Sequence, residues 1–170
     1  MTPDDLRAVQ APIKQKYRDR PESALVTLAA DGSFESGALT CRVETGRALM
    51  LAGLHPATGG TGMQACSGDM LLQALVACAG VTLQAVATAI GLTIRQGSVR
   101  AEGDLDFRGT LGVDREAPVG FREIRLSFAL DTDASAEQRE TLLRLTERYC
   151  VVLQTLRGSA KLTATLGPLG

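Results

Sequence analysis

The segment from Met70 to Ile94 carries no charged side chain, and nothing else in the chain restricts its fold as strongly. A run of that length either crosses a bilayer or buries itself in a protein core. Gln73, Thr82, Gln84 and Thr88 interrupt it, Gly91 ends its helical pattern, and neither a second span nor a flanking basic cluster supports insertion. The expectation is therefore a helix inside a soluble domain or at a subunit interface, with no membrane partner. Leu71, Leu75, Cys78 and Thr82 recur at helical spacing, which places Cys78 on a largely apolar stripe in mid-helix.

A chain of 170 residues suits a single domain spanning 1–170, with residues 1–20 as an N-terminal helical arm. With 45% hydrophobic residues, 22% charged and no tryptophan, the core should be aliphatic rather than aromatic. A formal net charge of -1 leaves no surplus of Lys and Arg to neutralise phosphates, so nucleic acid is not expected as a partner. The N-terminus MTPDDLRAVQ has acids where a secretory signal would have bases, which points to the cytoplasm. In that reducing compartment the four cysteines should be reactive thiols, metal ligands or inert core residues rather than a static disulfide framework.

Thr2, Pro3, Asp4 and Asp5 read as the start of a helix that fades near Arg20-Pro21. Strands are expected over Ala24 to Leu28 and Phe34 to Glu44, joined by a tight turn at Asp31-Gly32, with a third over Arg47 to Ala52. Gly53 to Gly68 should be a long loop, and the apolar helix should run from about Ser67 to Ile90 with Gly91 as its stop. Thr93 to Asp106 reads as a strand with a break at Gly97, and Phe107 to Gly120 as a polar loop. Ile124, Leu126, Phe128 and Leu130 alternate as one face of another strand. Ser135 and Gln138 form a capping-box pattern, opening a helix whose face of Leu142, Leu145, Tyr149, Leu153 and Leu156 continues to Gly158 and contains Cys150. A last strand over Lys161 to Leu166 completes an α+β order without the alternation of a doubly wound sheet.

Cysteine is the residue type whose placement suggests a reaction. A thiolate attacks a peroxide oxygen without metal or organic cofactor, and a second thiol then condenses with the sulfenic acid to give a disulfide. Taken alone, a cysteine in ALVACAGVTL also fits the description of a small buried hydrophobe. Gly59-Gly60-Thr61-Gly62, a short spacer and DMLLQALVACAGVTL, followed later by ERYCVVLQTL, together resemble the OsmC/Ohr family. The resemblance implies an α+β, OsmC-like fold with curved antiparallel sheets, two core helices and an intertwined homodimer. It also implies a thiol peroxidase acting on organic hydroperoxides, with Cys78 peroxidatic and Cys150 resolving, no cofactor, and a dithiol reductant, lipoyl-type among the candidates.

The family pairs its thiol with an arginine that favours the thiolate and is itself held by a carboxylate. Arg47, in ETGRALM, matches that arginine best, with Arg42 as the nearby substitute. Asp69, nine residues before Cys78, matches the carboxylate position, where glutamate is commoner; it is also an ordinary helix-start acid. Val151 departs from the pattern, standing where many relatives have proline. Cys41 and Cys66 fit structural roles, and His55 a loop or interface role, since no CxxC or HxxxH spacing supports a zinc site. Two rival functions share the same scaffold: a dimeric binding protein without turnover, and a thiol enzyme acting on another electrophile.

Overall fold

The computed structural model describes residues 3–35, 42–43, 52–158 and 160–166. Helix α1 (Pro3–Asp19) is followed by a 3-10 turn at Pro21–Ala24, strand β1 (Leu25–Glu35) and the short strands β2 (Arg42–Val43), β3 (Ala52–Gly53) and β4 (Ala65–Cys66). Then come α2 (Ser67–Ala89), β5 (Gln96–Asp106), the single turn α3 (Phe107–Thr110), β6 (Phe121–Asp131), α4 (Ala136–Tyr149) and α5 (Val151–Arg157). Among the described residues the main sheet is antiparallel in the order β2-β1-β5-β6, and β3 pairs with β4 in parallel. This is the mixed α+β architecture expected from the order of elements.

Helix α2 organises the rest. It packs on β1 and β5 along one side and on α4 and α5 along another, which is why it can dispense with charge. Leu72, Leu75, Val76, Ala79 and Leu83 are fully or almost fully buried, each large aliphatic adding roughly 1.5–3 kcal/mol. The helix is long and apolar enough to span a bilayer by composition, and here those properties serve a two-sided core contact. It stops at Gly91, whose φ of 72° lets the Leu92 N–H reach the Ala87 carbonyl (2.8 Å) and the Gly91 N–H that of Thr88 (3.2 Å). Strand β5 alternates strictly, burying Gly97, Val99, Ala101, Gly103 and Leu105 beneath α2. Ile124, Leu126, Phe128 and Leu130 of β6 are half-buried against the same core.

Several expected boundaries are corrected. No turn occurs at Asp31-Gly32: β1 passes straight through, with Asp31 opposite Arg100 and Gly32 opposite Val99. An Asp-Gly pair permits a turn without demanding one, and here an uninterrupted antiparallel partner holds the backbone extended. Gly97 does not break β5; it pairs with Phe34 on one side and Leu130 on the other. The 107–120 segment opens with α3, whose first amide is capped by the Asp106 carboxylate, itself gripped by the Arg108 guanidinium (2.6 Å). The capping box at Ser135 and Gln138 forms as expected. Its helix, however, is two helices jointed at Cys150, and residues 161–166 are irregular and exposed instead of a strand. Most of the expected Phe34 to Glu44 and Arg47 to Ala52 strands lies outside the described residues; Arg42–Val43 and Ala52 are extended.

The glycine-rich approach to α2 is clamped from the N-terminal side. The buried Tyr17 of α1 donates its hydroxyl to the Ala57 carbonyl (2.7 Å), and Gln10 donates to the Thr58 carbonyl (3.3 Å). Gly60 folds back so tightly on Leu54 that a side chain there would strike the Leu54 carbonyl, whereas the space around Gly120 is open. Gly60→Ala is therefore expected to cost about 1–3 kcal/mol of unfolding free energy, by overpacking against backbone. Gly120→Ala should stay within about 0.5 kcal/mol of the parent. Urea titrations of the two variants check this.

Candidate active site

Cys78 occupies the middle of α2, half-buried, on the flank turned toward α4 and α5. Cys150 is fully buried, 0% exposed, at the joint between those two helices. Both are free thiols, and the two sulfurs are hydrogen-bonded to each other. Residues 72 positions apart in sequence are thus brought into contact by the packing of α4–α5 on α2, and this contact lies within reach of a disulfide after modest adjustment.

The joint itself has local causes. Cys150 ends α4 by donating its N–H to the Thr146 carbonyl (2.9 Å), then adopts an extended ψ of 107° that withdraws the next amides from the α4 ladder. In a continuous helix the Glu147 carbonyl would accept from the Val151 N–H. Instead the Gln154 side chain reaches back to that carbonyl (2.7 Å), and the Arg157 guanidinium meets the Glu147 carboxylate at 3.3 Å. The carbonyl left open by the break is satisfied, and the freed amides of Val151 and Val152 turn to the Cys78 sulfur. Val151 takes the first helical position of α5 without the proline that many relatives carry there, so this break does not depend on a missing N–H; that N–H is instead put to use.

These contacts separate the two thiols electrostatically. Burial pushes the Cys78 thiol up, but the Val152 N–H, the Cys150 thiol, the Thr82 hydroxyl and the Val151 N–H together outweigh it, and Cys78 titrates below its ordinary value. Cys150 is pushed up to about 11, first by burial and then by the neighbouring Cys78 sulfur, with the Leu153 and Val152 amides opposing only in part. The arrangement is a polarised pair: a thiolate-prone sulfur at the more open position and a protonated thiol behind it, donating its S–H. One site for nucleophilic attack and one for resolution are the chemistry such a pair can perform.

The remaining candidates are distributed differently. Asp69 sits in the first turn of α2; nine residues of helix place it about 13 Å along the axis and on the opposite face from Cys78. Its carboxyl is raised by burial and lowered in part by His55. The His55 ring stacks on Phe107 with centroids 4.9 Å apart, and its Nδ1 accepts the Ala57 N–H at 3.0 Å. His55 is thus a loop residue packed beside α3, and Asp69 belongs to its neighbourhood rather than to the cysteines'. Cys66 is half-buried at the residue preceding α2. Arg42 lies in β2 opposite Ser33, while Arg47 and Cys41 fall outside the described residues. Among the described residues no group of three His, Cys, Asp or Glu side chains converges as a metal site would require.

Sequence reasoning missed two donors to Cys78. Thr82 could have been found, because a hydroxyl four residues after a helical cysteine shares its face. The Val151 and Val152 amides could not, since they become donors only where the helix breaks.

No curated protein matches the chain. Two solved structures share its fold. One is an OsmC-like hydroperoxide resistance protein from Jannaschia sp. CCS1, at 14% identity over 85% of this chain and 95% of that one, with a TM-score of 0.62. The other is an OsmC-like protein from Mycoplasma pneumoniae, at 17% identity over 75% and 86% of the two chains, with a TM-score of 0.55. The family described as OsmC-like protein matches residues 60–165, a span that includes Asp69, Cys78 and Cys150 and stops short of Arg47. With more than half of its length matched, and with the sheet and helices arranged as in those structures, the chain belongs to the OsmC-like family.

Proposed function

We propose that this protein is a cytoplasmic, cysteine-based peroxidase that reduces organic hydroperoxides and is recycled by a dithiol. The observation that carries this reading is the polarised contact between Cys78 and Cys150. The Cys78 thiolate attacks the outer oxygen of the hydroperoxide; the S–O bond forms as the O–O bond breaks, and the departing alkoxide takes a proton from water to become the alcohol. Cys150, still protonated because its thiol is held high, then attacks the sulfenic acid. Its proton leaves with the hydroxyl as water, and a Cys78–Cys150 disulfide remains for the external dithiol to reduce. The structural neighbour from Jannaschia, described as a hydroperoxide resistance protein, supports the substrate class.

Arg47 is assigned the guanidinium that steadies the thiolate and meets the peroxide oxygens, in line with the resemblance of ETGRALM to the family pattern. Asp69 can contribute only by holding such a guanidinium, because within one chain it faces away from Cys78. The protein is also proposed to act as a homodimer. A groove of about 320 Å³ between β6 and α4–α5, lined by Phe121, Ile124, Leu126, Phe128, Leu153 and Leu156 among others, leaves apolar side chains half-covered in one chain.

Cys78→Ser should abolish hydroperoxide consumption. Cys150→Ser should consume about one equivalent per chain and then stall, or run only on added thiol. Peptide mass spectrometry of peroxide-treated protein should find Cys78 joined to Cys150, and a Cys78→Ser protein with full turnover would refute the assignment. The pH dependence follows from the opposite shifts of the two thiols. A thiolate is the reactive form, so Cys78 should alkylate with iodoacetamide at neutral pH while Cys150 resists, with a rate difference of at least about tenfold at pH 7. Equal labelling of both peptides would remove the polarised pair. Arg47→Ala should slow sulfenate formation about a hundredfold and Arg42→Ala much less, measured by stopped-flow peroxide kinetics; the reverse order would transfer the role to Arg42.

A further inference from the structure

Helical threonines in this protein use their hydroxyls in two ways. Thr88, Thr146 and Thr155 each donate to the carbonyl four residues back, Gln84 (2.9 Å), Leu142 (2.8 Å) and Val151 (2.8 Å). That is the habitual choice, because the carbonyl lies within reach of one of the two rotamers threonine adopts in a helix. Thr82 has Cys78 four residues back, and its hydroxyl is directed to the Cys78 sulfur. A neutral thiol is a weak acceptor, whereas a thiolate is a strong one. The departure from the habit therefore marks a sulfur that carries charge.

The placement reinforces the point. Thr82 is half-buried on the same flank of α2 as Cys78, the flank covered by α4 and α5. Its hydroxyl reaches the sulfur from within α2, while the Val151 and Val152 amides reach it from the start of α5. Two separate elements thus hold the sulfur in position.

We propose that Thr82 is a catalytic hydrogen-bond donor, whose hydroxyl keeps Cys78 ionised and aims its sulfur at the hydroperoxide oxygen. This rests on the assignment of Cys78 as the attacking thiol. The Thr82 proton is not transferred: the S–O bond forms, the O–O bond breaks, the alkoxide leaves and is protonated by water, and Thr82 keeps its hydrogen throughout. Its contribution is the stabilisation of one protonation state and one direction of attack.

The test compares Thr82→Val, which keeps the branched shape without the donor, with Thr82→Ser, which keeps the donor. Cys78 alkylation by iodoacetamide is followed against pH by peptide mass spectrometry, with tert-butyl hydroperoxide consumption measured in parallel and far-UV circular dichroism confirming the helix. In Thr82→Val the alkylation midpoint should rise by about half a unit to one unit, and consumption at pH 7 should fall about three- to tenfold. Thr82→Ser should remain within about twofold of the parent in both readouts. A Val variant that titrates with the parent, or a Ser variant as impaired as Val, overturns the proposal. A parent protein that shows the alkylation shifts yet consumes no hydroperoxide overturns the peroxidase reading and leaves the hydrogen bond to the thiolate standing.

Discussion

The chemistry available to this protein depends on the break between α4 and α5. A continuous helix would close the Val151 and Val152 amides onto carbonyls of the preceding turn and leave the Cys78 sulfur facing only side chains. The extended backbone at Cys150 releases those amides, and Gln154 satisfies the carbonyl that the break exposes. One backbone rotation therefore does three things. It turns two N–H donors toward Cys78, places a second thiol in contact with it, and keeps that second thiol away from solvent. The opposite shifts of the two cysteines are consequences of this geometry: the donors favour charge on Cys78, and burial beside that charge disfavours it on Cys150.

The break is useful only because α2 is held still beneath it. The uncharged sequence lets α2 be buried against the sheet on one side and against α4–α5 on another, so Cys78 sits between two packed layers. The loop leading into α2 is fixed in turn by Tyr17 and Gln10 of α1, and by the close approach of Gly60 to Leu54. The N-terminal helix thereby contributes to the register of a site it does not touch. Asp69 and His55, at that clamped end, share an environment separate from the sulfurs, because two and a half turns of helix carry the first turn to the opposite face.

Elements whose signals are local were legible in the sequence. The span of α2, its stop at Gly91, the capping box at Ser135 and the alternation of β6 each follow from contacts within a few residues, and each appears within one or two residues of expectation. The misread elements share a different cause. Asp31-Gly32 has strong turn chemistry, but pairing with β5 along the whole of β1 overrides it. Gly97 looked like an interruption and is a paired strand residue on the buried face beneath α2. Residues 161–166 alternate well enough for a strand, yet no ladder forms there. A strand exists only where another strand's edge is free, and no local pattern reports that.

By itself the sequence determined which residues could react, since only its cysteines stand where resemblance and helical spacing converge, and it determined that α2 must be buried, since an uncharged stripe in water is unfavourable. Tertiary structure decided what those residues are to one another. The contact between Cys78 and Cys150, the amides released to the first sulfur and the separation of Asp69 from both arise from the docking of α4–α5 onto α2. Docking fixes distances across elements, whereas sequence spacing fixes them only within one.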